Sequence, residues 1–446
     1  MDQAKAAGTK LALVTNAPRE NVEHMLRAIT AWDRFDLVIY GDELERPKPD
    51  PLPYLQALSQ LGVKSHAALA FEDSLPGVRS AVAAGDIRDP ACGVASGNLR
   101  AEHDLTKDVQ RISRLKTAVV TGASAGVGLA IAERFAKEGW NVAIIARDAE
   151  RLAMAQGQIA RHGRQVVAVA ADASDVAAVE AAADQIVDAF GRIDVWVNNA
   201  MSTVVGAADQ ITPTEYERVT ATTYLSTVHG TLAALRVMRA QNEGSIVQIS
   251  SMLAIQAAPL QAAYCAAKSA VGGFTSSLRC ELRAEGSPIS LSVLYLPGMD
   301  TPQPEWARNH TGRSQVIPDP LFHPDLCARA VLSAVRHRHK EVWVGRSTIA
   351  MALAHAIAPG LTEKAAAKPK QQLGADEAPK VGNLDQPSPG PARILGQGRE
   401  RTIETGPEFM SSRQWSLVKF GLAAAVAIGG GIAGTSLSRL LARARC

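Results

Sequence analysis

The sequence predicts an α/β protein whose central part is a doubly wound parallel sheet, and two observations support this. Between residues 114 and 346, short apolar runs such as TAVVTG, NVAIIAR and DVWVNNA alternate with helical stretches of ten or more residues. The runs are continuously apolar rather than alternating, which is typical of parallel strands covered on both faces. We therefore predict one α/β domain over residues 114–346.

The regions on either side of this domain differ from it in composition. Residues 1–105 hold two strand-like runs, LALVTN and FDLVIY, separated by a helical pattern. Residues 360–414 are rich in Pro, Gly, Gln and charge, which predicts a disordered linker. The uncharged run 420–438 makes residues 416–440 a candidate transmembrane, membrane-anchoring helix. Frequent glycine makes insertion only marginally favourable, so a peripheral tail is an equal alternative.

Composition narrows the classes of function. The formal net charge is +3, from 47 basic and 44 acidic residues, which gives no electrostatic basis for nucleic-acid binding. Five scattered cysteines form no CxxC motif or Cys/His cluster, so we predict neither disulfides nor a metal site. The first residues lack the apolar core of a secretory signal. We expect a cytoplasmic protein, with any membrane association coming from the C-terminal tail.

A glycine-rich turn joins the first strand of the central domain to its first helix. The stretch VVTGASAGVG spans residues 119–128 and places Gly122, Gly126 and Gly128 where the backbone turns tightly and can approach a ligand. The helix that follows offers free N–H groups and the positive end of its dipole to a pyrophosphate. This combination predicts a dinucleotide site.

The end of the second strand bears on which dinucleotide binds. Ala146 is its last residue and Arg147 follows, where a dinucleotide site often places an acid to bind the ribose 2′-hydroxyl. An arginine suits a 2′-phosphate through charge-assisted hydrogen bonds, although a solvated loop arginine is the alternative. Asp172 ends the third strand and is placed to reach an adenine. We therefore predict NADP as the cofactor, with NAD as the alternative.

The stretch YCAAK sets Tyr264 and Lys268 four residues apart, on one face of a helix. A positive charge beside a phenol favours the ionised form of the phenol. A tyrosine tuned in this way can serve as a general acid or base near neutral pH. Because Tyr and Lys meet at this spacing by chance in many helices, the pair alone predicts little.

Taken in order, these motifs resemble the short-chain dehydrogenase/reductase family over roughly half of the chain. TGxxxGxG, NNA, a serine, YxxxK and PG follow one another as in the family. Ser251 precedes Tyr264 by the 13 residues that the family shows. The resemblance implies a Rossmann-like fold and hydride transfer between NADP(H) and a small-molecule carbonyl or alcohol. It also implies a homo-oligomer.

The resemblance also implies roles for individual residues. Tyr264 would exchange a proton with the substrate oxygen, Ser251 would hold that oxygen, and Lys268 would bind the ribose and favour tyrosinate. Thr223 stands where the family commonly has an asparagine that supports a relay water. A threonine hydroxyl can also hold a water, but a catalytically impaired nucleotide-binding regulatory or scaffold protein is the alternative. The expected cofactor-binding residues are Thr121, Gly122, Ser124, Gly126, Val127, Gly128, Arg147, Asp172, Asn198, Ala200, Lys268, Pro297, Gly298 and Thr301. Residues 252–261 and 304–310 are expected to line the substrate pocket.

Residues 1–105 resemble part of a haloacid dehalogenase-type hydrolase. Thr15 and Asn16 in LALVTN, Lys48 in RPKPDP and the acids Glu72 and Asp73 in AFED occur in that family's order. In the family, the Thr and Lys stabilise a phosphoryl group and the acids hold Mg²⁺. The DxD motif of the nucleophile should lie upstream, and the sequence begins just before the strand that carries the threonine. We expect a remnant without phosphatase activity, with a partner-completed or pseudo-phosphatase module as the alternative. A haloacid dehalogenase-type phosphatase is the less favoured alternative for the function of the chain.

Overall fold

The computed structural model describes residues 8–28, 35–68, 70, 75–84, 116–404, 408–412 and 414. The chain divides into two compact units, which are described separately. One comprises Met1–Leu115 with Gln185–Gly191, and the other comprises Lys116–Asp184 with Arg192–Cys446.

The first unit contains a parallel pair of strands, as its two apolar runs predict. The strands are β1 (Ala12–Val14) and β2 (Leu37–Ile39), and the helices are α1 (Arg19–Ala28), α2 (Leu52–Leu61) and α3 (Leu75–Ala84). Val22 and Tyr40 are buried together, with Leu13 and Val38 packed against them. The described part of this unit therefore has a small apolar core of its own.

The second unit alternates strands and helices over most of its length. Its strands are β3 (Thr117–Thr121), β4 (Asn141–Ala146), β5 (Val166–Ala170), β6 (Val195–Asn198), β7 (Val204–Val205), β8 (Ser245–Ser251), β9 (Ser290–Leu296), β10 (Arg308–Asn309), β11 (Arg313–Gln315), β12 (Leu321–Phe322), β13 (Glu341–Val344), β14 (Leu373–Asp376), β15 (Thr402–Ile403) and β16 (Phe409–Ser411). The helices that follow residue 116 are α4 (Gly126–Lys137), α5 (Ala149–Ala160), α6 (Val176–Phe190), α7 (Pro213–Thr220), the π-helix Ala221–Leu225, α8 (Ser226–Gln241), α9 (Ala262–Ala284), α10 (Gln303–Trp306), α11 (Asp325–His337), α12 (Arg346–Ile357) and α13 (Pro359–Ala366).

One large sheet organises the second unit. Within the described residues it has eight strands, in the order β16-β13-β9-β8-β6-β3-β4-β5, and only the β16–β13 edge pair is antiparallel. The chain first runs outward from β3 to β4 and β5, then crosses to β6 on the other side. Such a reversal of strand order creates a crevice beyond the carboxyl ends of the strands, where ligands bind. This is the Rossmann-like, doubly wound sheet that the sequence predicts.

The interior explains why the apolar runs predict this sheet correctly. Strands β3, β6 and β8 are buried along their whole length. One core cluster joins residues of these strands to helices α4 and α11, through side chains such as Ile131, Phe135, Leu326 and Val331. Burying each large apolar side chain contributes about 1.5–3 kcal/mol to the free energy of folding. Strands covered on both faces can therefore be apolar along their whole length.

The segment after residue 360 differs from the disordered linker that its composition predicts. Helix α13 begins it, β14 pairs with β11, β15 pairs with β12, and β16 becomes the edge strand of the large sheet. Leu384 is fully buried within it. Arginine side chains of the domain supply many of its hydrogen bonds, so order does not require an apolar or periodic sequence. The domain predicted to end at residue 346 therefore extends to Ser411.

In the described parts of the chain, no helix is long and apolar enough to span a bilayer. The predicted membrane-anchoring helix, residues 416–440, lies outside the described residues.

Candidate active site

A cavity of about 700 Å³ lies at the carboxyl edge of the large sheet. The glycine-rich turn lines it, together with the ends of β4, β5, β8 and β9 and the residues after β6. Parallel pairing of β8 with β9 sets Ser251 opposite Leu296, so the segment Pro297–Gly298 reaches the same edge. The strand register thus gathers motifs that are far apart in the sequence.

The glycine-rich turn has the backbone that a pyrophosphate site requires. Gly122 and Gly126 have φ angles of 65° and 57°, which disfavour other residues. A Cβ atom on Gly128 would lie 2.3 Å from the carbonyl oxygen of Gly122, so this glycine permits close packing rather than lining the cavity. The first N–H groups of a helix lack intrahelical acceptors. Those of Val127 and Gly128 form no hydrogen bond to any described residue, so they suit an anionic ligand.

Asn198, predicted to bind the cofactor, lies instead in a buried polar cluster. Its Oδ1 accepts a hydrogen bond from Trp196 Nε1 at 2.9 Å, and its Nδ2 donates to Thr231 Oγ1 at 3.0 Å and to Gln248 Oε1 at 2.8 Å. Asn198 is 2% exposed and does not line the cavity. Because β6 ends at this residue, its side chain still points into the core, and its role is structural.

The next residue, Asn199, has the position that the sequence assigned to Asn198. Its Nδ2 donates hydrogen bonds to the carbonyl oxygens of Thr121 and Gly122, at 3.0 and 3.1 Å. The hydroxyl of Thr121 accepts hydrogen bonds from the backbone N–H groups of Asn199 and Ala200. Asn199 and Ala200 line the cavity, whereas Thr121 supports it from behind. The NNA motif therefore holds the glycine-rich turn in place.

Thr223, expected to support a relay water, does not reach the cavity. Its hydroxyl donates to the carbonyl oxygen of Ser202 at 2.9 Å and accepts from the N–H of Ser202 at 3.2 Å. The residue is fully buried within the π-helix, and the preceding Thr222 lines the cavity in its place. Since the single donor of Thr223 is used by Ser202, its role is to fix the loop after NNA.

Ser251, Tyr264 and Lys268 meet in the cavity, as the sequence predicts. Ser251 ends β8, while Tyr264 and Lys268 lie one turn apart on α9. The Lys268 ammonium is 5.8 Å from the centre of the Tyr264 ring and donates a hydrogen bond to the carbonyl oxygen of Ile249 at 2.7 Å. The Ser251 hydroxyl lies close enough to the Tyr264 phenol to act on its pKa. The group therefore brings a phenol, a hydroxyl and a cation to one place.

Burial controls the protonation of this group. It raises the pKa of Tyr264 to about 12, although the hydrogen bond with Ser251 acts to lower it. Burial also lowers the pKa of Lys268 to about 8, because an ammonium removed from water favours its neutral form. Without a cofactor, burial thus outweighs the predicted stabilisation of tyrosinate by Lys268. Tyr264 carries its proton at neutral pH.

Arg147 and Asp172 line the far end of the cavity, where the sequence places the adenosine. Burial lowers the pKa of the Arg147 guanidinium, while the nearby Asp172 acts to raise it. Burial acts to raise the pKa of Asp172, but hydrogen bonds from Arg218 and Ser174 hold it below its usual range. Arg218 Nη2 lies 2.6 Å from Asp172 Oδ2. This end of the cavity therefore combines a partly buried cation with an ionised carboxylate.

The remaining predicted cofactor residues also reach the cavity. The lining includes Ser124, Pro297, Gly298 and Thr301. The two stretches expected to form the substrate pocket contribute to the lining as well, through residues such as Met252, Leu253, Pro304 and Trp306.

Part of the cavity wall comes from residues that the sequence did not indicate. Met351 of α12, Lys368 and Gln372 line the cavity. Gln372 Nε2 donates to the carbonyl oxygen of Pro259 at 3.1 Å, and Gln372 Oε1 accepts from Gln261 Nε2 at 2.9 Å. The segment after residue 360 thus braces the loop that precedes Tyr264. No motif marks these residues, because each contributes through its place in the fold.

The first unit brings together some of the residues assigned by its resemblance to a hydrolase. Asn16 and Lys48 exchange hydrogen bonds between the Asn16 amide and the Lys48 backbone, at 3.0 and 3.1 Å. Lys48 Nζ donates to the carbonyl oxygen of Val14 at 2.8 Å, beside Thr15 at the end of β1. Glu72 and Asp73 lie outside the described residues. Within the residues described, no three metal-ligating side chains group together.

Comparison with known proteins agrees with these two sets of motifs. Residues 116–310 match the family described as short chain dehydrogenase, and residues 1–86 match the haloacid dehalogenase-like hydrolases. The chain is 29% identical over 270 residues to the uncharacterized oxidoreductase YxnA of Bacillus subtilis, covering 60% of this chain and 76% of that protein. It is 36% identical over 211 residues to the 1-deoxy-11-beta-hydroxypentalenate dehydrogenase of Streptomyces avermitilis, covering 46% and 77%. A metagenomic short-chain oxidoreductase, solved in complex with NADP, is 29% identical over 50% of this chain and 91% of its own, with a TM-score of 0.42.

Proposed function

Because this chain belongs to the short-chain dehydrogenase/reductase family and is an oxidoreductase, we propose that it transfers a hydride between NADP(H) and a carbonyl or alcohol group of a small molecule. The observation that carries this proposal is the meeting of Ser251, Tyr264 and Lys268 in the cavity that the glycine-rich turn also lines. One cavity therefore offers both an anion-binding turn and a proton donor.

The residues present fit a nicotinamide cofactor, which supplies the hydride when it is bound. The free N–H groups of Val127 and Gly128 would hold its pyrophosphate. Lys268 uses one of its three N–H donors on Ile249, which leaves two for the ribose hydroxyls. Val127 and Lys268 line the cavity, and Gly128 follows Val127 in the first turn of α4.

Arg147 supports NADP(H) over NAD(H). Three of its five N–H groups donate to carbonyl oxygens, of Asn383, Leu384 and Asp385. These acceptors are neutral, the nearby carboxylates of Asp172 and Asp385 act on the guanidinium electrostatically, and two N–H groups remain for a 2′-phosphate. Ala146, rather than a carboxylate, ends β4, where NAD-binding proteins often carry an acid.

For reduction, Tyr264 acts as the acid. With a pKa of about 12, it keeps its proton at neutral pH and can give it to a carbonyl oxygen. Ser251 donates a second hydrogen bond to the same oxygen and stabilises the negative charge that develops there. The Lys268 cation lowers the cost of leaving Tyr264 as tyrosinate after the transfer. For alcohol oxidation, the same phenolate accepts the proton.

Apolar side chains in the cavity wall favour a substrate with an apolar body. Met252, Leu253, Val316, Ile317 and Met351 line this cavity. Polar side chains also reach it, so a carbonyl compound of mixed character suits the space.

A substrate screen tests the proposal directly. The full-length protein is mixed with NADPH or NADH and a panel of aldehydes and ketones, and cofactor oxidation is followed by absorbance. Hydrolysis of p-nitrophenyl phosphate is measured in parallel, because the first unit matches a hydrolase family. We expect NADPH oxidation with apolar carbonyl compounds. Cofactor binding without oxidation across the whole panel would favour the impaired nucleotide-binding protein instead.

A further inference from the structure

We propose that residues 383–393 form a strap under which the cofactor binds, and that cofactor release requires this strap to open. The strap closes the outer side of the cavity and holds Arg147 in position. The proposal rests on the proposed function and adds a segment that the sequence marked as linker.

The first contact between strap and domain is made by two arginines of the adenosine end. Arg147 Nη2 donates to the carbonyl oxygen of Asn383 at 2.6 Å, and Arg147 Nη1 donates to those of Leu384 and Asp385, each at 3.1 Å. Arg218 Nε donates to the Leu384 carbonyl oxygen at 3.2 Å. Three successive carbonyl groups of the strap therefore face the guanidinium groups of the site.

A second contact is made by Arg151 of α5, which is 5% exposed. Its Nε donates to the carbonyl oxygen of Gly390 at 3.1 Å, and its Nη2 donates to that of Ser388. The guanidinium also lies over the ring of Trp306, 4.4 Å from its centre. Since a buried guanidinium needs acceptors for its N–H groups, these bonds fix the course of the strap.

The end of the strap meets the glycine-rich turn. The N–H of Gly126 donates to the carbonyl oxygen of Arg393 at 2.9 Å, and Gln158 Nε2 donates to that of Ala392 at 3.0 Å. The strap therefore runs from the residues assigned to the 2′-phosphate to the turn assigned to the pyrophosphate. Its two ends are the two phosphate-binding parts of the site.

The strap forms a wall of the cavity and does not fill it. Asn383, Pro387 and Ser388 line the same space as Gly122 and Val127 on the domain side. Because the first-turn N–H groups of Val127 and Gly128 stay unbonded, the strap leaves the central anion-binding groups available. The strap is therefore placed to cover a bound cofactor and not to compete with the cofactor for its binding groups.

Two side chains anchor the strap outside the cavity. Leu384 is fully buried against Val204, Ile211 and Val219. The carboxylate of Asp385 lies 2.6 Å from Arg308 Nη2 and is 57% exposed. The bonds to the cavity are individually modest, so local opening of the strap during turnover is physically accessible. The contacts of Leu384 and Asp385 therefore set the frequency with which the strap opens.

The test measures NADPH release from full-length Leu384→Ala and Asp385→Ala, neither of which alters a cavity-lining residue. Val381→Ala is the matched control, because Val381 precedes the strap and is 76% exposed. Bound NADPH is displaced with excess NADP⁺ in a stopped-flow fluorimeter. We expect release about tenfold faster in Leu384→Ala, a smaller increase in Asp385→Ala, and no change in Val381→Ala.

Two outcomes would overturn the strap as a cover. Faster and tighter NADPH binding by both variants would show that the strap is a plug. Unchanged release in Asp385→Ala and in a folded Leu384→Ala would show that it plays no part in cofactor exchange. If Leu384→Ala loses its circular dichroism signal, the exposed Asp385→Ala decides alone. Failure of the unmodified protein to bind either cofactor would refute the proposed function, and the strap with it.

Discussion

The ammonium of Lys268 donates a hydrogen bond of 2.7 Å to the carbonyl oxygen of Ile249, two residues before Ser251 on the same strand. This bond links α9 to β8, and these two elements carry the proposed proton donor and its partner. Lys268 is 2% exposed, and this burial lowers the pKa of its ammonium. A change in the protonation of Lys268 should therefore be visible in the pH dependence of the reaction.

The first prediction is the pH dependence of kcat/KM for NADPH, which reports groups of the free enzyme. Burial lowers the pKa of Lys268 to about 8, so raising the pH through that value removes its charge and one of its donors. Tyr264, with a pKa of about 12, keeps its proton over this range. We expect kcat/KM to fall as pH rises above about 8 and the decline to be missing in Lys268→Met. A flat profile up to about pH 10 would contradict the assignment.

The second prediction concerns cofactor choice. NADP should bind more tightly than NAD by about 1–3 kcal/mol, because the partly buried Arg147 would pair with the 2′-phosphate. Arg147→Ala should remove most of that difference, as measured by titration with each cofactor. Arg161→Ala, an exposed arginine just after α5, serves as the control and should keep the preference. Equal affinities in the unmodified protein would refute the role of Arg147.

The sheet and the catalytic group could be predicted because their signals are local. Apolar runs mark β3, β6 and β8, and the four-residue spacing of Tyr264 and Lys268 sets both on one helix face. Asn198 lies in the core and Asn199 lines the cavity because β6 ends at Asn198. A shift of one residue along a strand reverses the direction of a side chain, so the sequence alone does not decide between the two. Which of Thr222 and Thr223 faces the cavity depends instead on the course of the π-helix Ala221–Leu225. The strap could not be predicted, because its carbonyl oxygens bond to arginines and leave no pattern in its side chains.

The third prediction separates Asn198 from Asn199. Asn198→Ala leaves the buried Trp196 Nε1 donor and the buried Gln248 Oε1 acceptor without their partner, which should cost about 1–3 kcal/mol of unfolding free energy. Its affinity for NADPH should change little. Asn199→Ala frees the carbonyl oxygens of the glycine-rich turn, so it should weaken NADPH binding more than it lowers stability. Thermal unfolding and NADPH titration of both variants make the comparison, and the opposite pattern would restore Asn198 as the cofactor-binding residue.

The last prediction concerns Tyr264. Tyr264→Phe keeps the ring and its packing but deletes the proton donor, so turnover should fall roughly 10²–10⁴-fold, the usual worth of a positioned acid. NADPH should still bind, because its expected contacts are the glycine-rich turn, Arg147 and Lys268. Tyr295→Phe is a matched control, since burial also raises the pKa of Tyr295 to about 12 while its ring stacks on Trp343 away from the cavity lining. That variant should turn over normally. Near-normal turnover by a Tyr264→Phe variant that binds NADPH would refute the proposed mechanism, because the proton would then come from another group of the cavity, such as the Lys268 ammonium.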